Sequence, residues 1–306
     1  MVAPRIAVGP SSAPRFFAEA VADGGGTVTD PDAAEALVWA DPREVGPLRA
    51  LLADAPEIRW VQLPWAGVEE FAAAGVFEDG RTWTCGKGVY AEPVAEHALA
   101  LGMAGLRDLP ERVRATSWGR QSGRTLYDAN VTILGAGGIA ASLITLLAPM
   151  RTRITVVRRS AIPIPGVART LGTESLHQSL SGADLVVVAL ALTAETTGII
   201  DAQALAAMEP KAWLINVGRG RHVVTADLVE ALSAGTIGGA GLDVTDPEPL
   251  PDGHPLWNAS NCIITPHTAN TLEMARKPLT ERITENVRRF AAGQPLIGPV
   301  DPSLGY

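Results

Sequence analysis

Short apolar segments alternate with helical patterns along the whole chain. In the first third, strands are predicted at residues 6–8, 37–39, 59–63 and 82–85. Alanine-rich helical segments lie between them, at 47–53 and 68–74. A longer helix is predicted to open with Pro93 at its first position, where proline's missing N–H costs no helical hydrogen bond. Strands that alternate with helices are typical of parallel α/β architecture.

A second series of strands follows, and several of its members are continuous apolar runs. These strands are predicted at 131–134, 154–157, 185–190, 213–216, 240–244 and 262–265. Continuous apolar runs are expected when helices cover both faces of a sheet. After Pro266 the pattern predicts a polar loop and then a helix at 279–293. The predicted fold class is therefore α/β, with two parallel-sheet lobes and the second lobe starting near residue 98.

Composition and charge narrow the class of protein. Of the 306 residues, 47% are hydrophobic and 19% are charged, which predicts a globular protein. The formal net charge of −8 argues against nucleic-acid binding, which needs a basic face. We expect no membrane span, because no apolar run approaches the roughly 20 residues that cross a bilayer. We expect no signal peptide, because the opening MVAPRIAVGP lacks a long apolar stretch and already resembles a first strand.

Cysteine and histidine spacing gives no indication of a metal site. Cys85 and Cys262 are best explained as buried, reduced thiols of a cytoplasmic protein. Four histidines have no partner at a spacing that suits a metal or a proton relay: His97, His177, His222 and His254. We therefore expect a cytoplasmic protein without a bound metal.

A glycine-rich loop follows the strand predicted at 131–134. The hexapeptide GAGGIA continues into a helical pattern, which is the context of the G-x-G-x-x-G/A dinucleotide fingerprint. Gly135 would allow the tight turn, and Gly137 would let the backbone approach a pyrophosphate at the helix N-terminus. Gly138 and Ile139 complete the predicted cofactor-binding loop. The simpler alternative is a glycine-rich turn without a ligand.

The end of the next strand bears on the type of cofactor. NAD-binding proteins carry an acidic residue there, which binds the ribose 2′-hydroxyl. This chain has Arg158, Arg159 and Ser160 instead, and guanidinium groups pair well with a 2′-phosphate. We therefore predict NADP as the preferred cofactor, with dual use of NAD as the main competitor and a solvated basic loop as the alternative. No other acidic residue is expected at this corner.

Three further residues occur at or just past the ends of apolar runs. They are Arg219 in NVGRG, Glu248 in LDVTDPEP and His267 in ITPH. A cation, a carboxylate and an imidazole suit the binding of an anionic carbonyl compound and the transfer of a proton to it. Asp246 competes with Glu248 for the imidazole. The glycines on both sides of Arg219 predict close approach of the backbone to a ligand.

These motifs together resemble those of the D-isomer-specific 2-hydroxyacid dehydrogenases. The chain is most similar to the glyoxylate/hydroxypyruvate reductase-like group, from about Arg59 to Asp301. The resemblance implies a Rossmann-like dinucleotide-binding domain at 98–275, inserted into a flavodoxin-like substrate domain made of 1–97 and 276–306. It also implies a homodimer.

The resemblance assigns a role to each residue of the triad. His267 would donate a proton to the substrate carbonyl oxygen, and Glu248 would orient the imidazole and favour its protonated form. Arg219 would bind the substrate carboxylate and polarise the carbonyl group.

The resemblance extends to the cofactor and to the substrate loop. Asp243 would bond the nicotinamide carboxamide or would serve as a structural hydrogen-bond hub, and Val217 completes the predicted cofactor-binding set. Trp65, Ala66 and Gly67 resemble the loop whose backbone N–H groups bind the substrate carboxylate. Trp65 would crowd the pocket, stack on the substrate or simply pack in the core.

The predicted function is hydride transfer between NAD(P)H and a small 2-oxo or D-2-hydroxy acid, such as glyoxylate or hydroxypyruvate. One alternative is an NAD-linked dehydrogenase such as a short 3-phosphoglycerate dehydrogenase, although the stretch VQLPWAGVEEF offers no basic residue for a phosphate. A formate dehydrogenase is disfavoured, because its relatives have glutamine at the position of Glu248. The other alternative is a non-catalytic NAD(P)-sensing binding protein.

Overall fold

The computed structural model describes residues 3–42 and 44–301, and the chain divides into two compact units. One unit combines Met1–Tyr90 with Thr271–Tyr306, and the other is Ala91–Asn270. Each change of unit falls close to the start of a long helix. The boundaries predicted from the sequence, after residues 97 and 275, lie a few residues farther along the chain, inside those two helices.

In the described residues the strands are β1 (Arg5–Gly9), β2 (Thr27–Val28), β3 (Ala36–Trp39), β4 (Trp60–Gln62), β5 (Thr82–Thr84), β6 (Asn130–Leu134), β7 (Arg153–Val157), β8 (Arg169–Leu171), β9 (Leu185–Val188), β10 (Trp213–Asn216), β11 (Gly239–Leu242) and β12 (Cys262–Ile264). The α-helices are α1 (Phe16–Asp23), α2 (Val45–Asp54), α3 (Glu69–Ala73), α4 (Ala91–Leu106), α5 (Leu109–Arg114), α6 (Gly138–Leu147), α7 (Leu176–Leu180), α8 (Ala202–Ala206), α9 (Thr225–Ala234), α10 (Pro255–Asn258) and α11 (Leu272–Ala292). Short 3-10 turns lie at Pro31–Ala33, Val76–Glu78, Ala148–Met150, Thr173–Ser175 and Gly220–His222. Within the described part of the chain, no helix has both the length and the apolar character needed to cross a membrane.

The first unit is built on a parallel five-stranded sheet in the order β2-β1-β3-β4-β5. This is the 2-1-3-4-5 order of flavodoxin-like folds. Every residue of β3 and β4 is buried, as expected for strands with helices on both faces. Helix α11 packs on α1, so this unit is completed by the C-terminal part of the chain.

The second unit is built on a parallel seven-stranded sheet in the order β12-β11-β10-β9-β6-β7-β8. Counted from β6, six of these strands follow the Rossmann order 3-2-1-4-5-6, and β12 adds one more strand at the edge. The order reverses between β6 and β9, and open α/β sheets bind ligands beside the loops at such a reversal. The predicted α/β fold with two parallel-sheet domains is confirmed.

Two edge strands were not predicted, and helix α4 begins earlier than predicted. Strands β2 and β8 escaped prediction because β2 has only two residues, both exposed, and β8 has no fully buried residue. Helix α4 begins at Ala91, so Pro93 is its third residue and not its first. A proline there is still tolerated, because N–H groups in the first turn have no helical partner.

Helix α11 begins two turns earlier than predicted. The side chain of Thr271 caps it by accepting a hydrogen bond of 3.3 Å from the backbone N–H of Met274, and Pro278 lies inside the helix. The proline indicated a helix start, but three fully buried residues continue through it at helical spacing: Ala275, Leu279 and Ile283. Burial of this apolar stripe outweighs the hydrogen bond lost at the proline.

Candidate active site

The glycine loop between β6 and α6 has the shape of a phosphate cradle. Gly135 has a φ of 117°, and a Cβ there would lie 2.4 Å from the carbonyl oxygen of Ala189, so only glycine fits. Gly137 is the N-cap of α6, and a Cβ on it would meet no atom within 4 Å. The N-terminus of this helix is therefore exposed and suits a pyrophosphate. The residues present fit a dinucleotide.

The corner after β7 carries the predicted 2′-phosphate residues on a partly exposed loop. Arg158 is half-buried and its backbone N–H donates a hydrogen bond of 3.0 Å to the carbonyl of Leu171, while Arg159 and Ser160 are exposed. The pKa of Glu195 is lowered, chiefly by a hydrogen bond from Thr193 and in part by the charge of Arg159. The expectation that no other acidic residue lies at this corner was wrong, because Glu195 comes from the loop after β9, which is distant in sequence.

Arg219 follows β10 in a turn that buried side chains hold in place. The Nδ2 of Asn216 donates a hydrogen bond of 2.9 Å to the carbonyl of Arg219, and the backbone N–H of Arg219 donates to Nδ1 of His222 at 3.0 Å. Asn216 and His222 are both fully buried. The guanidinium Nη1 donates to the carbonyl of Gly218 at 2.8 Å. The backbone of Arg219 is thus fixed at both its N–H and its carbonyl.

The glycines that flank Arg219 are explained by the protein's own packing. A Cβ on Gly220 would lie 1.9 Å from the backbone oxygen of Thr245. A Cβ on Gly218 would lie 3.0 Å from Nδ1 of His222. Glycine at these positions lets the turn fit against the segment after β11 and against a buried imidazole. That the two glycines also allow close approach of a ligand stays a prediction.

His267 and Glu248 form the closest pair of the predicted triad. Nδ1 of His267 lies 2.6 Å from Oε1 of Glu248, which selects Glu248 over its competitor Asp246. Both side chains are about half exposed, at 51% and 40%. His267 has a φ of 52°, and its N–H donates to the carbonyl of Asp243 at 2.8 Å. The imidazole is therefore presented from a fixed backbone beside a carboxylate.

The hydrogen bond between these two side chains shifts the pKa of each in opposite directions. The pKa of His267 is raised, first by its bond to Glu248, and burial opposes this shift. The pKa of Glu248 is lowered, first by the same bond, and burial again opposes. The charge of Arg219 lowers both pKa values, so this guanidinium lies within electrostatic reach of the pair. Both shifts favour an imidazolium paired with a carboxylate.

Asp243 is a buried hydrogen-bond hub under the loop that carries His267. Its Oδ1 accepts hydrogen bonds from the hydroxyl of Thr265 at 2.6 Å and from the N–H of Thr268 at 2.9 Å. Its Oδ2 accepts from the N–H of Ala269 at 3.0 Å. These bonds offset the cost of burying the carboxylate. Of the two predicted roles for Asp243, this geometry favours the structural one.

Two of the histidines for which the sequence indicated no partner, His97 and His222, have hydrogen-bond partners among the site residues and their neighbours. Nε2 of His97 lies 2.9 Å from Oγ1 of Thr265 and 3.5 Å from Oδ1 of Asp243. His222 bonds the N–H of Arg219. A usable signal for His222 was its position three residues after Arg219 in a tight turn, whereas His97 and Thr265 are brought together only by the fold.

The other predicted site residues are Val217 in the second unit and Trp65, Ala66 and Gly67 in the first unit. Val217 is buried, and its N–H donates a hydrogen bond of 3.2 Å to the carbonyl of Val188. The N–H of Val217 is therefore already bonded to the neighbouring strand β9. Trp65 belongs to the first unit, where its ring stacks on Tyr90 with centroids 6.3 Å apart. Ala66 and Gly67 follow it and are exposed and half-buried, respectively. The structure thus gathers the glycine loop and the triad in the second unit and places the substrate loop in the first.

Known proteins resemble this chain in both sequence and structure. Residues 97–269 match the NAD binding domain of the D-isomer specific 2-hydroxyacid dehydrogenases. A glyoxylate/hydroxypyruvate reductase A from Serratia proteamaculans (strain 568) is 32% identical over 286 residues, covering 89% of this chain and 87% of that protein. A D-isomer specific 2-hydroxyacid dehydrogenase from Xanthobacter autotrophicus Py2, solved with NADPH and MES, has a TM-score of 0.88 at 29% identity and covers 100% of both chains. An NADPH-dependent glyoxylate/hydroxypyruvate reductase from Sinorhizobium meliloti, solved with NADP and sulfate, has a TM-score of 0.84 at 25% identity and covers 99% of this chain and 100% of that one.

Proposed function

Because this chain belongs to the D-isomer-specific 2-hydroxyacid dehydrogenases, we propose that it reduces small 2-oxo acids to D-2-hydroxy acids with NADPH as its preferred cofactor. The observation that carries this proposal is the 2.6 Å hydrogen bond between His267 and Glu248, within electrostatic reach of Arg219. An imidazolium, its carboxylate and a guanidinium are the groups needed to bind an anionic 2-oxo acid and protonate its carbonyl oxygen.

Each residue of the triad has a distinct role in the proposed reaction. The bound nicotinamide would supply the hydride. His267, paired with Glu248 through Nδ1, presents Nε2 as the nitrogen that gives its proton to the carbonyl oxygen. Glu248 holds the ring and stabilises its charged form. Arg219 binds the substrate carboxylate with two parallel N–H donors, which a lysine does less well.

The cofactor would bind along the switch point of the second unit. The N–H groups around Gly137 and Gly138 would receive the pyrophosphate at the start of α6. Arg158, Arg159 and Ser160 would bind the 2′-phosphate. Support for NADP comes from the relatives of Xanthobacter autotrophicus and Sinorhizobium meliloti, whose structures contain NADPH and NADP.

Glyoxylate and hydroxypyruvate are the substrates we propose. The reductase from Serratia proteamaculans, named for these two acids, covers most of this chain in sequence. The backbone of Trp65, Ala66 and Gly67 would contribute N–H donors to the carboxylate. A phosphorylated substrate is less well supported, because VQLPWAGVEEF lacks a basic residue.

We further propose that the protein is cytoplasmic and works as a homodimer. Support for the cytoplasm comes from Cys85 and Cys262, which are both free and buried. Support for the homodimer comes from apolar side chains that the second unit leaves in solvent, among them Val113 and Trp118, at 83% and 96% exposure.

The direct test is a steady-state panel of 2-oxo acids against NADPH and NADH. We expect turnover with glyoxylate and hydroxypyruvate and a preference for NADPH. His267→Ala should lower kcat by about 10²–10⁴-fold, the usual contribution of a general acid, and should still bind NADPH in a fluorescence titration. His177→Ala, at an exposed position on α7, is the matched control and should keep full activity.

The panel also separates the proposed reductase from its alternatives. Turnover restricted to a phosphorylated 2-oxo acid with NADH would replace it by a phosphoglycerate-type dehydrogenase. Binding of NADPH without turnover of any acid would overturn the enzyme function and favour an NAD(P)-sensing protein.

A further inference from the structure

We propose that His222 is a positioning residue that sets the orientation of Arg219 and thereby the binding of the substrate carboxylate. This inference rests on the proposed function and deepens it. The imidazole of His222 is fully buried, and its Nδ1 accepts a hydrogen bond of 3.0 Å from the N–H of Arg219. Its Nε2 lies 3.3 Å from the carbonyl oxygen of Ala191, in the loop after β9.

The two partners determine the tautomer of His222. A backbone N–H can only donate a hydrogen bond and a carbonyl oxygen can only accept one. Nδ1 must therefore carry the lone pair that faces Arg219, and Nε2 must carry the proton that faces Ala191. A doubly protonated ring could not accept from Arg219, so the neutral Nε2–H form is the one that holds the turn.

The fit around His222 leaves the Arg219 turn little freedom. Asn216 bonds the carbonyl of Arg219 at 2.9 Å, while His222 bonds its N–H. Gly218 lies so close to the imidazole that a Cβ there would be 3.0 Å from Nδ1. The backbone from which the guanidinium extends is thus held between two buried polar side chains. Because such groups are costly to bury without partners, each bond resists a change in the turn.

His222 also connects the Arg219 turn with the cofactor side of the unit. Its partner Ala191 lies two residues after Ala189, whose carbonyl oxygen packs against Gly135 of the glycine loop. One imidazole therefore ties the residue that would bind the substrate carboxylate to the strand end beside the pyrophosphate cradle. A displacement of about 1 Å between reacting groups can cost roughly 10²-fold in rate, so this tie matters for the reaction geometry.

Two substitutions separate the two hydrogen bonds of His222. In His222→Asn, the amide oxygen occupies the place of Nδ1 and can accept from Arg219, but the contact with Ala191 is lost. In His222→Gln, the amide reaches the place of Nε2 and can donate to Ala191, but the acceptor for Arg219 is lost. We expect His222→Gln to raise KM for the 2-oxo acid and the Ki of oxamate, a carboxylate analogue of the substrate, by about 10-fold or more. His222→Asn should change both by less than about 3-fold.

The readouts distinguish positioning from general destabilisation. Kd for NADPH and the thermal transition are measured for both variants, and His177→Gln is the exposed-site control. A purely structural role would lower kcat with the folded fraction and leave KM and Ki unchanged, which would overturn the inference. Equal effects of Asn and Gln on KM would overturn it as well. If the unaltered protein turns over no 2-oxo acid, the proposed function fails and the inference with it, whereas turnover that His222→Gln leaves intact overturns the inference alone.

Discussion

His267 would donate its proton from Nε2, while its Nδ1 is hydrogen-bonded to Glu248 at 2.6 Å, and this second bond raises the pKa of the imidazole. Reduction needs the charged ring, so kcat/KM for the 2-oxo acid should fall as pH rises through the raised pKa. Oxidation of the 2-hydroxy acid needs the neutral ring, so its rate should rise through the same pKa. A pH profile recorded in both directions measures these two limbs.

Glu248→Gln tests the cause of that raised pKa. The amide can still hydrogen-bond the ring but carries no charge, so the alkaline limb of the reduction profile should move to lower pH. At pH 8 the loss in kcat/KM should exceed the loss at pH 6, and both should be smaller than the roughly 10²–10⁴-fold loss expected for His267→Ala. Asp246→Asn is the matched control, two residues away. An alkaline limb that Glu248→Gln leaves in place would contradict the assignment.

Arg158 should determine the choice of cofactor. Arg158→Asp removes a partner of the 2′-phosphate and supplies an acceptor for a ribose 2′-hydroxyl, so the ratio of kcat/KM for NADPH to that for NADH should fall by about 10-fold or more. Arg153→Asp, at the exposed start of the same strand β7, makes the same charge change away from the loop and should leave the ratio unaltered. A variant that keeps its preference for NADPH would show that this corner does not select the cofactor.

For single residues, the sequence motifs predicted which side chains are candidates for the active site better than they predicted what those side chains contact. The pairing of Glu248 with His267 follows a spacing that the sequence displays. The bond from Arg219 to His222 depends on the dihedral angles of one turn, and the approach of Glu195 to Arg159 depends on two loops far apart in sequence. The sequence shows that His222 is three residues after Arg219 but not the geometry of the turn that joins them, and it gives no sign of the approach of Glu195 to Arg159.

Among the secondary-structure elements, the tight turn after β10 makes the most specific demand on the sequence. Gly220→Ala would drive a methyl group into the backbone of Thr245, because its Cβ would lie 1.9 Å from that carbonyl oxygen. We expect a loss of about 1–3 kcal/mol in the free energy of unfolding, or a turn displaced from its site. Gly46→Ala is the matched control, since no atom lies within 4 Å of its Cβ and it stands in helix α2, where alanine is favoured. Thermal denaturation measures both, and a Gly220→Ala protein as stable as Gly46→Ala would contradict the packing argument.

The strands and helices that the sequence predicted well are those with a strong burial pattern. Strand β9 consists of four buried residues with branched apolar side chains. This apolar run is enough by itself to indicate a central strand. Strands β2 and β8 lie at sheet edges, where exposure removes the apolar signal. Helix α11 shows the converse case, because Pro278 looks like a helix start until the buried stripe on both sides of it is known.

The first unit is built from two segments that are far apart in the chain, and the C-terminal helix α11 in the second segment completes it. The first unit is left at Tyr90 and re-entered at Thr271, and α11 then packs on α1. Asn286 on α11 donates a hydrogen bond of 2.8 Å to the fully buried Gln62 of β4. A buried amide without its partner is costly, so the two chain segments depend on each other. Local sequence cannot display such a dependence, because the partners are separated by the entire second unit.

The second unit leaves a groove whose apolar lining a monomer would expose to water. Leu109, Val113 and Trp257 line an open groove of about 360 Å³, and their exposures are 47%, 83% and 46%. Large apolar side chains grouped in this way are typical of protein interfaces. We expect the protein to sediment at about twice its chain mass of 32.0 kDa.

Val113→Asp would place a charge in the groove that we propose as the dimer interface, and a buried unpaired charge is strongly unfavourable. The variant should therefore dissociate at micromolar concentration, with a loss of association exceeding roughly 10²-fold, as measured by analytical ultracentrifugation across a concentration series. Val28→Asp introduces the same charge at an exposed valine of the first unit and should stay associated. Circular dichroism would verify that both variants are folded. Sedimentation of the unaltered chain at 32.0 kDa over the whole series would contradict the dimer, and the apolar groove would then need a different partner.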